Sequence, residues 1–387
     1  MSTICRAYKT ELDPNNKQRT QFAQHAGVAR FVYNWALADR IERYGNGEST
    51  NKYEQKRRFN GIKDEQFPWI RKTAYVVTQE AFENLDTAYQ NFFRRVKQGA
   101  EQKGFPKFKA RARTTPSFRV RGVKVDHGRI RLPRIGWVRL KENGYLPIDG
   151  AKVLSATVSQ RADRWFVSLQ VEEEAPQHPR PTGKPIGIDL GIKSRAVCSN
   201  GMILDNPKAL YQYEKKMARL QRELSRRNKG SQNWHKTKCR IAKLHYRIAC
   251  VRRHTSHEFT TAVIAKAKPS QIVIEDLNVR GMVKNHCLAK AVSDSAMGEI
   301  RRQLTYKADW HGTEVIEADR WYPSSKTCSE CGNVKTLLRL SDRKYVCEAC
   351  GAVIDRDLNA AMNLAALAEP PNGRGLPVEM GCCNAPL

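Results

Sequence analysis

Cys328, Cys331, Cys347 and Cys350 follow the spacing C-x2-C-x15-C-x2-C, which limits the fold of its segment more than any other feature of the chain. Cys328-Ser-Glu-Cys331-Gly and Cys347-Glu-Ala-Cys350-Gly each predict a tight turn presenting two thiolates, with Gly332 and Gly351 supplying the bend. Four thiolates so spaced point to a closed tetrahedral Zn²⁺ site, structural because no position stays open for water. Affinity of this kind, about 10–16 kcal/mol apparent in small peptides, replaces a core that the segment is too short to build. Cys5, Cys198, Cys239, Cys250 and Cys287 are scattered singly, and Cys382 and Cys383 adjoin in a tail. The pattern reads as one metal site plus free thiols in a reducing compartment.

Lys and Arg total 68 against 39 Asp and Glu, a net charge of +29 over 387 residues. Such an excess speaks of polyanionic partners, nucleic acid first among them. No apolar run approaches the roughly 18 residues of a spanning helix, which argues against a membrane partner. Met-Ser-Thr-Ile-Cys-Arg lacks the layout of a signal peptide, so a soluble cytoplasmic protein is expected.

Ile4 to Thr10 predicts a strand. Helices follow over Pro14–Arg40, with Phe22, His25, Ala26, Ala29, Val32, Tyr33 and Ala36 on one face, and over Thr73–Lys97, with a shorter one between. From Gly104 to about Glu172 the pattern changes to short β-branched runs, as in a small antiparallel barrel or sandwich. Lys103 to Lys141 holds 13 Lys/Arg and one acid, Asp126, and reads as a nucleic-acid surface that includes Lys107, Lys109, Arg111 and Arg113. A prolyl linker precedes a strand, turn and strand over Pro185–Val197. Helices over Leu210–Arg227 and Asn233–Lys268 form a basic hairpin, with Arg226, Arg227, Lys236, Lys238 and Arg240 as phosphate-contact candidates. Gln271–Leu277 is a strand, Leu288–Trp310 one helix, Thr313–Ala318 a strand and Asp357–Leu367 a helix. The tail from Glu369 reads as disordered.

Three acids stand where carboxylates are costly without a cation: Asp189 in Ile-Gly-Ile-Asp-Leu-Gly, Glu275 in Ile-Val-Ile-Glu-Asp-Leu, and Asp357 in Asp-Arg-Asp-Leu-Asn-Ala-Ala. Strand alternation puts Asp189 opposite Ile186 and Ile188, and Glu275 on the face of Val273. Gly187 and Gly191 are expected to open room for a phosphate backbone. Converging from two strands and a helix, the acids would repel one another unless cations neutralise them. Two Mg²⁺ or Mn²⁺ ions about 3.5–4 Å apart would do so and would activate water at a phosphodiester. Asp355 and Asp357 are not separable on local grounds as the third acid. No phosphate loop of the ATP-binding kind and no separate helix-turn-helix end-binding domain is apparent.

These motifs, with Tyr322-Pro-Ser-Ser-Lys-Thr-Cys-Ser-Glu-Cys-Gly before the last acid, Val32-Tyr-Asn-Trp35 in the first helix and Gly104-Phe-Pro-Lys-Phe-Lys109 beyond the second, resemble the TnpB family. That family comprises transposon-encoded RNA-guided DNA endonucleases related to type V CRISPR effectors. The resemblance implies a multidomain α+β chain with a ribonuclease H-like RuvC nuclease domain over 181–320 and 353–368. It further implies a zinc-ribbon module at 321–352, and a β-barrel wedge domain over 1–10 and 105–175 enclosing a helical recognition domain at 11–104. Asp189, Glu275 and Asp357 become the Mg²⁺ ligands and catalytic triad, Asp357 because the family places the acid two residues before Asn359. The implied partners are a guide RNA (the ωRNA) and target double-stranded DNA, in a prokaryotic, nucleoid-associated setting. A short motif beside the target would be read by the protein, with Tyr75, Thr78, Gln79, Ser117 and Arg119 as candidates. A protein-only transposase and a non-cleaving regulator are the alternatives.

Overall fold

Strand β1 (Thr3–Asp13) opens a long antiparallel pairing before any helix forms, and the computed structural model describes residues 3–147, 151–174, 180–339 and 342–368. Two units divide the chain, Met1–Ala175 and Pro176–Leu387. The tail from Glu369, with Cys382 and Cys383, lies outside the described residues.

In the first unit, β1 leads into α1 (Asn16–Gly45), α2 (Lys52–Gln66) and α3 (Tyr75–Lys97). Local chemistry sets their starts. Asn15 accepts from the Gln18 amide at 2.9 Å while the Gln18 side chain accepts from the Asn15 amide, and Asn51 and Glu54 repeat this capping box for α2. Helix α3 lacks a side-chain cap. Its leading amide at Ala74 instead donates to Nε2 of buried His25, whose Nδ1 donates to the Gln21 carbonyl at 2.7 Å. His25 is therefore a neutral imidazole of fixed tautomer, and burial pushes its pKa down. The expected α1 stripe is buried, with Ala29 half-buried.

The strands that follow are β2 (Ser117–Val120), β3 (Lys124–Asp126), β4 (Arg129–Leu132), β5 (Gly136–Leu140), β6 (Lys152–Arg161) and β7 (Arg164–Glu174). They join β1 in an antiparallel sheet of order β2-β6-β7-β1-β5-β4-β3. Among the described residues no ladder joins β2 to β3, so the hydrogen bonding is that of an open sheet. Phe22 of α1 packs on Phe118 and Trp165, and helices and sheet share one core.

The second unit begins with β8 (Ile186–Asp189), β9 (Ser194–Cys198) and β10 (Ile203–Asp205), then α4 (Ala209–Ser225) and α5 (Gln232–Thr261). Next come β11 (Gln271–Glu275), α6 (Val279–Lys284), α7 (Ala289–Ser295), α8 (Met297–His311) and β12 (Glu314–Ala318). Strand β13 (Lys344–Val346), inside the cysteine segment, pairs with β14 (Val353–Asp355) just beyond it, and α9 (Arg356–Ala366) follows. The main sheet has the order β10-β9-β8-β11-β12, with β8, β11 and β12 parallel and β9 and β10 antiparallel. Ile186, Ile188, Ile272 and Ile274 pack on Phe259 and Val263 and on Ile300 and Leu304 of α8. The opposite face carries Val273, covered by Leu364 of α9. Helices α4 and α5 form the expected hairpin around Met217, Leu220, Leu244 and Ile248.

The single helix expected over Leu288–Trp310 is instead two, broken at Ala296 with φ 53°. Distant partners hold the break. Buried Asp294 accepts from the Leu210 amide at 3.1 Å and from Arg252 at 2.7 Å. The Ser295 carbonyl accepts from wholly buried Arg195 at 2.6 Å.

Gly187 is where α9 meets the sheet. A Cβ there would lie 2.0 Å from the Ala361 carbonyl oxygen and 2.4 Å from the Ala365 nitrogen. The expectation that Gly187 and Gly191 admit a phosphate backbone is thus corrected, since Gly187 admits a helix and a Cβ on Gly191 would meet the Ser194 carbonyl. Gly187→Ala should destabilise this unit by about 1–3 kcal/mol or more, measured as a lower denaturation midpoint. An unchanged midpoint would contradict this packing.

Candidate active site

Parallel register sets Ile188 beside Ile274, so Asp189 and Glu275 end neighbouring strands side by side. Both share the face of Gly187 and Val273, the face under α9. Asp357 lies in the first turn of α9. The two candidate third acids take different tasks. Exposed Asp355 caps the helix, accepting from the amides of Asp357 at 3.0 Å and Leu358 at 3.1 Å, whereas Asp357 is half-buried. Asp276 points away and pairs with Arg320 and Arg301, which hold its carboxyl below the usual range.

Burial, then the charges of Glu275 and Asp357, push Asp189 up to about 7, with Arg356 opposing and Asp355 adding the least. A carboxyl so shifted marks a site with more negative charge than its side chains balance. Ser324, at 3% exposure, donates its hydroxyl to Glu275 Oε1 at 2.6 Å.

All four cysteine sulfurs lie within 4.8 Å of one another, at 3.7 Å for Cys328–Cys350 and 3.5 Å for Cys331–Cys347. Sulfurs about 2.3 Å from one tetrahedral Zn²⁺ would lie roughly 3.8 Å apart, so the residues fit that ion. Gly332 and Gly351 take φ of 76° and 74° and close matching turns, their amides donating to the carbonyls of Cys328 and Cys347. Backbone amides at Cys350 and Ala349 help pull the Cys347 thiol down to about 6. Helix α9 grips this knuckle. Asn359 and Asn363 each donate to the Thr327 carbonyl at 2.7 Å, Asn363 also donates to the Ser324 carbonyl at 2.7 Å, and the Ser329 amide donates to Asn359. Sequence reasoning missed Asn359 and Ser324 as site residues. Their trace is polarity where an apolar residue would serve packing better.

The remaining candidates scatter. Tyr75 and Ser117 are exposed and Gln79 half-buried, while Thr78 is buried with its hydroxyl on the Tyr75 carbonyl. Arg119 is bound to Ser155 and Gln170, each at 2.8 Å. A cavity of about 440 Å³ in the first unit is lined by Ser117, Arg119, Lys109, Arg30, Tyr33 and Glu80, but not by Tyr75, Thr78 or Gln79. Lys107, Arg111 and Arg113 are exposed as expected of phosphate contacts. Lys109 sits 3.6 Å over the Tyr33 ring, and burial pushes its pKa down. On the hairpin, Arg226, Lys236 and Lys238 are exposed, whereas Arg227 and Arg240 both bind Glu223.

Chelation should remove one Zn²⁺ per chain and unfold the 328–350 segment, followed by metal analysis and loss of amide-exchange protection there. Cys347→Ala should do the same, and a zinc content near zero in the intact chain would refute the site.

Three family models match: one described as a probable transposase over residues 168–286, the TNB domain of Cas12f1-like proteins over 298–364, and a helix-turn-helix domain over 1–49. The last stands against the expectation of no such domain, although its span here is one strand and one long helix. A Streptomyces pristinaespiralis protein is 35% identical over 97% of this chain and 93% of its own length, and an Escherichia coli K12 protein, InsQ, 33% identical over 97% and 95%. Both carry the name "Putative RNA-guided DNA endonuclease". The solved Cas12f1–sgRNA–target DNA complex is similar in fold, with a TM-score of 0.56 at 14% identity, covering 94% of this chain and 99% of that one. Among the described residues no helix is long and apolar enough to cross a membrane. With such identity along nearly its whole length, the chain belongs to the TnpB family of RNA-guided DNA endonucleases.

Proposed function

We propose that this chain is an RNA-guided DNA endonuclease of a transposon that cuts both strands of a DNA target at Asp189, Glu275 and Asp357, beside a short adjacent motif. The observation that carries this is the excess of negative charge on one sheet face, where burial and neighbouring carboxylates, only partly offset by Arg356, raise Asp189 to about 7. Bound Mg²⁺ or Mn²⁺ would supply charge neutralisation and an activated water. Asp189 and Glu275 would hold the cations from the strand ends, Asp357 from the helix turn above them, and Asp355 keeps that turn in place by capping it. Asp276 plays no part, being paired with arginines.

The five-stranded order and the α9 cover support a RuvC, ribonuclease H-like assignment for 181–320 and 353–368, with 321–352 as its zinc ribbon. In the first unit, the seven-stranded sheet interrupted after β1 by three helices supports the wedge and recognition assignment. Guide pairing would read the target, and the protein would read the adjacent motif. The cavity that joins Ser117 and Arg119 to Lys109 is a candidate for that reading. The exposed bases Lys107, Arg111, Arg113, Arg226, Lys236 and Lys238 would meet phosphates. Since two matched family models are described as a transposase and a helix-turn-helix domain, a protein-only transposase is the second reading. It requires no RNA.

Co-expression with the flanking DNA should yield a discrete bound RNA and Mg²⁺-dependent cleavage of a matching duplex. Asp189→Ala should lower cutting at least about 1,000-fold while RNA and target binding persist. Absence of a discrete RNA would refute guided cleavage, and end-specific strand joining without RNA would establish the transposase instead.

A further inference from the structure

We infer that Ser324 is a positioning residue that fixes the carboxylate plane of Glu275 for cation binding, an inference that rests on the proposed role of the acid trio. A glutamate carboxylate turns easily about its last torsion, so a ligand oxygen is not aimed unless something holds its partner. The Ser324 hydroxyl has one proton and gives it to Glu275 Oε1 at 2.6 Å. The charge of Glu275 is felt at Asp189, so the carboxylate held in this way is one of the interacting trio. A buried hydroxyl with this geometry is more than a packing atom, because its one proton is committed to the carboxylate.

Ser324 is itself held from two directions. Its turn is closed on the Pro323 carbonyl, which accepts from the amides of Lys326 at 3.0 Å and Thr327 at 3.1 Å and from the Thr327 hydroxyl at 2.9 Å. Its own carbonyl accepts from Asn363, buried on the helix that carries Asp357. Helix α9 thus supplies one acid directly and orients another through Ser324. The turn enters the knuckle at Cys328, four residues on, so the cysteine module and the acid trio share one anchor. Residues that orient a metal ligand in this way typically govern affinity for the ion rather than stability of the fold.

The test is calorimetric titration of the full-length, zinc-loaded chain with Mn²⁺ alone. Ser324→Ala should weaken Asp189-dependent Mn²⁺ binding about 10-fold or more with zinc content and melting temperature unchanged. Ser324→Thr, which keeps the hydroxyl, should bind within about threefold of the unaltered chain, since it restores the donor. Equal affinity in the unaltered chain and Ser324→Ala overturns the role. So does a threonine variant as weak as the alanine one, since the turn and not the hydroxyl would then matter. If Asp189→Ala leaves Mn²⁺ binding of the chain unchanged, the trio is not a cation site, and the role of Ser324 falls with it.

Discussion

Repulsion among carboxylates at the ends of β8 and β11 is the constraint around which the second unit is arranged. Water would weaken it, but the site lies beneath α9 and on a sheet whose other face is packed with isoleucine. Packing holds the acids together against their own field. Gly187 lets the helix backbone reach the strand, Leu364 covers Val273, and the first turn of that helix delivers Asp357. Asp189 records the cost of this arrangement in a pKa near 7. A folded chain bears such a cost readily when a divalent cation removes it.

The cysteine knuckle belongs to the same arrangement. It is too small for a core of its own beyond Tyr345 and its neighbours, and the Tyr345 hydroxyl is spent on the carbonyls of Lys326 and Asn333. What joins it to the acids is a pair of asparagines on one helix. Asn359 and Asn363 bind the backbone just before and inside the first cysteine turn, and Ser324 passes the contact on to Glu275. The backbone that presents the cysteines is thereby tied to the Glu275 carboxylate through one helix. In the first unit, His25 plays a comparable joining part, tying α1 to the start of α3 as a neutral imidazole.

Much of this was legible because the relevant signals are local. The short β-branched runs expected between Gly104 and Glu172 are the strands β2 to β7, and the glycine-ended cysteine pairs foretold the tight turns at Gly332 and Gly351. What escaped depends on partners far along the chain. The break at Ala296 is held by Arg195, Leu210 and Arg252, none of which is near in sequence. Strand β10 is three residues long and α6 six, too short for a period to show. Local sequence left Asp355 and Asp357 equivalent, and the cap hydrogen bonds distinguish their surroundings. Lys109 read as one more exposed base because no pattern announces that Tyr33 lies beneath it. Strand parity put Asp189 on the face of Gly187 and Glu275 on that of Val273, and the register of β8 and β11 makes these one face, whereas Ser324 required the three-dimensional contact to be seen.

The account stands most directly on the protonation of Asp189. Titrating the zinc-loaded chain with Mg²⁺ or Mn²⁺ near pH 7, in two buffers of different ionisation enthalpy, measures the protons released per cation bound. A cation favours the charged carboxylate and so lowers the raised pKa. The account predicts a fractional proton release at pH 7 that grows as the pH falls, with weakening cation affinity, and that disappears in Asp189→Asn. Cation binding without proton release, or release that survives Asp189→Asn, would contradict it.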